Sequence, residues 1–176
     1  MIRRLLFVVM SVSVLMGCSG MKIEDFAGRT PELKLETYFA GKTRAWGIFE
    51  DRFANLRREF TVDIEGTWDG RELVLDERFD YTDGEKDRRV WRLTQTAPGI
   101  WEGRTEDAIG VAVGRAAGNA FNFRYDINLK MGSGQMKVHF DDWMYLQPDG
   151  VLINRAYVTK WGFDVGSVTL TFRRVP

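Results

Sequence analysis

The chain has 176 residues, with 25 basic and 25 acidic side chains, one histidine and one cysteine. Balanced charge excludes the basic footprint of a nucleic-acid binder, and a single thiol excludes a fold held by its own disulfides. Aromatic residues are abundant (12 Phe, 6 Trp, 5 Tyr), which suits a β-rich interior.

Residues 1–20 read MIRRLLFVVMSVSVLMGCSG. Arg3 and Arg4 form a positive start, and Leu5 to Met16 form an apolar run of twelve, too short to span a bilayer as a permanent helix. Leu15-Met16-Gly17-Cys18 then matches the lipobox of bacterial lipoprotein signal peptides. The expectation is a signal peptide over 1–17, removed before Cys18, with Cys18 as the lipidation site carrying acyl chains such as palmitate. Ser19 at the next position, rather than Asp, favours sorting to the outer membrane, on its periplasmic face. The mature chain of 159 residues carries 23 basic and 25 acidic groups, without a polybasic run for anionic lipid heads. Its membrane attachment therefore rests on acyl chains, of which more than one is needed for stable anchoring.

Residues 18–30 read as a lipidated tether and 31–176 as one domain, large enough to bury a core. Thr30-Pro31-Glu32 is a helix start, with Thr as N-cap and Pro at the first position, and Gly41 can close a helix of roughly two turns. From Lys42 onward the pattern has period two. Strands are expected over about 44–53, 56–65, 72–81, 88–96, 100–106, 120–130, 135–146, 151–160 and 165–173. Ala120 to Lys130 is the clearest: Phe121, Phe123, Tyr125, Ile127 and Leu129 share one face, and Asn122, Arg124, Asp126, Asn128 and Lys130 the other. Turn signals at Asp69-Gly70, Asp83-Gly84, Pro98-Gly99, Gly132-Ser133-Gly134 and Pro148-Asp149-Gly150 join neighbours by short links. The fold class is thus all-β: an antiparallel meander closed into a lipocalin-like (calycin-like) β-barrel of about 8–9 strands, with one short N-terminal helix. A two-sheet sandwich is the alternative. A membrane-spanning barrel is disfavoured because Arg124, Asp126 and Lys130 on the outward face would meet lipid.

Polar residues on apolar faces are the informative exceptions. Arg58 falls in the register of Leu56, Phe60, Val62 and Ile64; Glu77 in that of Leu73, Leu75, Phe79 and Tyr81; Asp142 lies between Phe140 and Met144. Pointing inward, Arg58, Glu77 and Asp142 would hold the head group of an amphipathic ligand; the alternative is a structural ion pair or a bulge. His139 alternates onto the polar face with Lys137 and Asp141, and no metal-ligand cluster accompanies it, so no metal or other cofactor is expected. Gly110, Gly114 and Gly118 read as a structural corner beside the barrel, in reach of its mouth. Asp141-Asp142-Trp143 would serve a glycan only if those groups were exposed together in a groove. No serine elbow and no free thiol is found in the mature chain, so an enzyme is not expected.

Phe39-x-Gly41, Trp46-Gly47-x-Phe49, Asp51-Arg52-Phe53, Gly118-Asn119-Ala120, Asp141-Asp142-Trp143-Met144-Tyr145, Asn154-Arg155-Ala156 and Lys160-Trp161-Gly162 together resemble domain-of-unknown-function family 3833 of bacterial lipoproteins. That resemblance brings no activity and no site residues. The architecture is similar to lipocalin barrels, although the Gly-x-Trp at Gly66-Thr67-Trp68 falls on a hairpin end rather than on the first strand. Two functions remain in view. The first is an outer-membrane-anchored lipoprotein that binds a fatty acid or other apolar ligand within its barrel. The second is a non-enzymatic envelope scaffold that uses its outer face or glycine segment to hold another protein.

Overall fold

The computed structural model describes residues 20–131 and 134–176. The signal peptide, Cys18 and the Gly132-Ser133 turn lie outside the described residues. Ten antiparallel strands form one closed barrel: β1 (Gly41–Asp51), β2 (Leu56–Trp68), β3 (Glu72–Tyr81), β4 (Lys86–Ala97), β5 (Ile100–Arg104), β6 (Ala108–Ala117), β7 (Ala120–Met131), β8 (Gly134–Leu146), β9 (Leu152–Lys160) and β10 (Phe163–Val175). Each strand pairs with its sequence neighbour, and β10 closes on β1 from Lys42↔Val175 to Asp51↔Gly166. Closure leaves no free edge, which is how a long meander avoids templating other chains.

The barrel has one strand more than expected because the glycine segment is itself β6. Its inward residues are Ala112, Gly114 and Ala116, and its outward ones include Val111 and Val113, the reverse of the usual alternation. Small inward groups are needed there. A Cβ on Gly114 would collide with the Phe121 ring and stand 3.2 Å from Trp101 Cβ, and one on Gly103 would stand 2.6 Å from Phe123 Cζ. With β5 and β6 thinned in this way, Trp91 from β4 reaches across to Phe123 and Tyr125 from β7, with ring centroids 5.0 and 5.1 Å apart.

One end of the barrel is plugged. The expected two-turn helix is a single turn, α1 (Leu35–Tyr38), because the residues before it stay extended: the Leu33 N–H donates to the Gly118 carbonyl at 2.8 Å. Leu33, Leu35, Tyr38 and Phe39 are buried with the inward residues of the barrel, and the Phe39 backbone lies against Gly66, where no side chain would fit. The Tyr38 hydroxyl donates to the carbonyls of Phe172 (3.1 Å) and Gly150 (3.2 Å), tying the plug to β10 and to the β8–β9 turn. Gly41 then reverses the chain into β1 at φ 95°, a conformation open to glycine.

The stretch expected as a tether is partly packed. A 3₁₀ turn (Ile23–Phe26) lies on the outer wall at the plugged end, burying Ile23 and Phe26 against Ala120 and Trp143. Much of the outer wall elsewhere is charged, with pairs such as Arg88–Asp76 (2.8 Å), Arg124–Asp141 (3.0 Å) and Lys137–Asp126 (2.9 Å) laid across neighbouring strands, and apolar groups are exposed chiefly along β6. Such a wall would be costly against hydrocarbon.

Candidate functional site

The barrel encloses a cavity of about 980 Å³. Its walls are aromatic and aliphatic, with Phe49, Phe60, Phe79, Trp91, Phe123 and Phe140 among them, and its floor is Leu35 and Phe39 of the plug. The cavity reaches the opposite end at Arg58, Glu85, Lys86 and Gln135, where the turns after β1, β3, β5 and β9 surround the mouth. A second hollow of about 660 Å³ lies at the plugged end among Pro31, Tyr38, Gln147 and Arg174. It lies outside the barrel, and the one buried polar group there, the Tyr38 hydroxyl, is already bonded, so the lumen is the candidate site.

A charged cluster interrupts the apolar lumen, with Asn154 of β9 a further buried polar residue on its wall. Glu77 on β3 stands opposite Arg89 on β4 in the strand register, and both side chains turn inward with the Leu73–Leu93 and Leu75–Trp91 pairs. Arg89 forms a forked pair with Asp107 of the β5–β6 turn, Nε at 3.2 Å and Nη2 at 2.8 Å from Oδ2. On β7 the Tyr125 hydroxyl donates to Asp142 Oδ2 of β8 at 3.1 Å, while its ring stacks on Phe140 at 5.1 Å. Asp142 is 7 % exposed, and its Oδ1 has no hydrogen-bond partner. Glu77 accepts no hydrogen bond from any described residue, is half-buried and lines the cavity.

The electrostatics follow from this enclosure. Burial pushes the Glu77 carboxyl up to about 7, against the pull of Arg89 and with a further push from Asp142. Burial likewise pushes Asp142 up to about 7; the Tyr125 hydrogen bond opposes this and the charge of Asp141 adds to it. The Tyr125 hydroxyl is held well above its ordinary range by burial and then by Asp142. Arg89 stays charged: burial works against the cation, but the Asp107 hydrogen bonds and the carboxyls of Glu77 and Asp107 outweigh it.

Two of the three residues singled out from sequence, Glu77 and Asp142, project into this part of the lumen and act on each other electrostatically. Arg58 also lines the cavity, but from the mouth end of β2. Its Nη2 is 2.8 Å from both Asp83 and Glu85, and its guanidinium lies 3.7 Å from the Tyr81 ring centroid. The bulge considered at Asp141-Asp142 is absent, since the β7–β8 ladder runs in unbroken register through Phe123↔Asp142. The two aspartates point to opposite faces: Asp141 bonds Asn122 and Arg124 on the outer wall, and Trp143 is buried beneath Phe26. The open groove that a glycan would need is therefore not formed. His139 sits on the outer face with Nδ1 2.8 Å from Asp126.

Sequence comparison adds the lineage. The model of the family described as "Protein of unknown function (DUF3833)" matches residues 12–174, nearly the whole chain. The chain belongs to this family. Among curated proteins none matches. Among solved structures, a protein of unknown function from the DUF3598 family of Nostoc punctiforme is similar, with a TM-score of 0.51 at 12 % identity. The likeness covers 84 % of this chain and 51 % of that one, so this DUF3833 chain spans about half the length of its structural neighbour. At that identity the likeness shows the fold alone.

Three cluster members escaped the reading of the sequence. Arg89 shares the alternation of Trp91 and Leu93, a signal equal in kind to the one that exposed Glu77. Tyr125 was counted as a plain apolar residue of its strand. Asp107 sits in a turn, where periodicity carries no information.

Proposed function

We propose that this DUF3833 protein is a lipid-anchored envelope protein that binds a lipid or other apolar small ligand in its barrel. It is held by an acylated Cys18 at the periplasmic face of the outer membrane and acts by binding rather than by catalysis. The observation that carries this reading is the lumen: about 980 Å³ of largely aromatic-walled space, closed at one end, open at the other, with one polar cluster inside. That volume lies near the upper end of ordinary small-molecule sites, and each buried methylene of a ligand contributes about 0.8 kcal/mol. The test is native mass spectrometry of residues 18–176 with Cys18→Ser, exported to a bacterial periplasm and purified without detergent. Organic extraction of the same sample then identifies the lipid. The expected result is a stoichiometric co-purifying apolar molecule. An empty protein that also fails to take up fluorescent acyl probes would refute the reading.

A second reading, a scaffold for another protein, rests on exposed apolar groups. Phe53, Trp161 and Phe163 are 70, 86 and 74 % exposed on the adjoining β1–β2 and β9–β10 turns at the mouth. Ile109, Val111 and Val113 are exposed along β6, the glycine segment. Replacing each group of three by serine tests it by in-cell crosslinking: the scaffold reading expects a specific envelope crosslink to be lost while lumen uptake is kept, and an unchanged crosslink pattern refutes it.

A further inference from the structure

The polar cluster also constrains the head of the ligand, an inference that rests on the lumen being a binding site. The cluster contains three carboxyls, Glu77, Asp107 and Asp142, and one guanidinium, Arg89. The charge of the guanidinium is matched by Asp107, which takes its Nε and Nη2, while Nη1 has no bond to any described residue. The Tyr125 hydroxyl proton is committed to Asp142 Oδ2. Two acceptors are left open: Asp142 Oδ1 is buried without a partner, and the Glu77 carboxyl faces the cavity unbonded by any described residue. A buried acceptor without a donor is costly, whereas a donor supplied by a ligand removes that cost and forms a charge-assisted bond. A carboxylate head meets two acidic groups, and the one cation of the cluster is already balanced by Asp107.

We propose that the ligand is an apolar chain whose head donates hydrogen bonds, an alcohol or an amine, received by Asp142 and Glu77, and that a fatty-acid carboxylate is disfavoured. The hydroxyl and the ammonium share this donor chemistry. The ammonium gains further where the carboxyls are ionised, so the two are separable by pH.

The experiment uses residues 18–176 with Cys18→Ser, which contain the closed barrel and its plug and thus the whole described fold. Binding of 1-dodecanol, dodecylamine, dodecanoate and the headless dodecane is measured at pH 8 by displacement of a fluorescent probe from the lumen. The alcohol, the amine or both should bind at least about tenfold more tightly than dodecanoate, equivalent to one well-placed hydrogen bond to a charged group. Tightening of the amine alone on moving from pH 5.5 to 8 identifies the ammonium; equal affinities identify the neutral donor. In Asp142→Asn and Glu77→Gln the preference should fall by at least about threefold while dodecane binding is unchanged. The opposite result, dodecanoate equal to or tighter than both donors at pH 8, would overturn the inference and leave the binding barrel standing. Failure of all four probes would instead sink the binding barrel itself, and the inference with it.

Discussion

Asp142→Asn provides a sharp test of the buried cluster. The substitution keeps the shape of the side chain and an oxygen to accept the Tyr125 hydroxyl, and removes only the charge. In the folded protein the Asp142 carboxyl titrates near about 7, and Glu77 does the same, whereas in the unfolded chain they titrate near 3.8 and 4.5. The folded state therefore holds its protons more tightly. Its advantage is complete below about pH 4, shrinks as the pH rises between the two values, and is gone above about pH 7. For Asp142 the gap corresponds to about 4 kcal/mol at about 1.4 kcal/mol per pH unit. Part of it returns through relaxation of Arg89, Tyr125 and Glu77 around the variant, so a difference of about 3 kcal/mol is expected at pH 8. Urea unfolding of wild type and Asp142→Asn at intervals from pH 4.5 to 8 measures this. The variant should differ from the wild type by about 1 kcal/mol at pH 4.5 and become progressively more stable than it up to pH 8. Exposed aspartates with lowered values, such as Asp69, Asp76 and Asp83, lose stabilising interactions only as the pH falls below their ordinary range. They are common to both proteins and cancel in the difference. A difference independent of pH, or a variant less stable at pH 8, would refute the picture of two enclosed carboxyls.

Other substitutions probe the frame around the cavity. Gly114→Val drives methyl groups into Phe121 and Trp101 and should cost about 3 kcal/mol in urea unfolding, as overpacking does. Tyr38→Phe removes both bonds to the Phe172 and Gly150 carbonyls and should cost about 1–2 kcal/mol, with faster hydrogen exchange confined to the plug and its neighbours. Phe26→Ala should cost about 3 kcal/mol or less and shift Trp143 emission to the red as its cover is lost, leaving uptake of a lumen probe unchanged. Cys18→Ser in the full chain should move the protein from the membrane fraction to the soluble fraction after osmotic shock.

Closure and strand order were legible because long alternating stretches joined by turn residues leave a meander few other arrangements. Strand β6 was not, for a physical reason: where a barrel narrows, the inward positions must be small, so Ala112, Gly114 and Ala116 face in and Val111 and Val113 face out. Hydrophobic alternation, which assumes that the larger apolar group is inside, then reads the strand as a corner. The helix was overestimated because Thr30-Pro31-Glu32 carries good starting chemistry, yet the Leu33 N–H is already used by Gly118. Within the site, register alone was enough to place Glu77 and Asp142 in the lumen. It placed Arg58 there as well, but could not show that a residue two positions from the strand start reaches the rim acids Asp83 and Glu85. The pairing of Arg89 with Asp107 joins residues 18 apart through a turn, and no local pattern encodes it.

The 3₁₀ turn at the plugged end would decide which end of the barrel lies nearest an anchor at Cys18, if the proposed acylation holds. Met21 is held there, its sulfur accepting from the Tyr145 hydroxyl at 3.5 Å, and the three residues back to Cys18 span at most about 11 Å. Strands of ten to thirteen residues, tilted as barrel strands are, place the mouth about 30 Å farther along the axis. A leash of that length would keep the plugged end, rather than the mouth, next to the surface that holds residue 18. Fastened through Cys18, the barrel would stand on its sealed base like a cup, and whatever enters or leaves would do so from the side facing away from its own membrane.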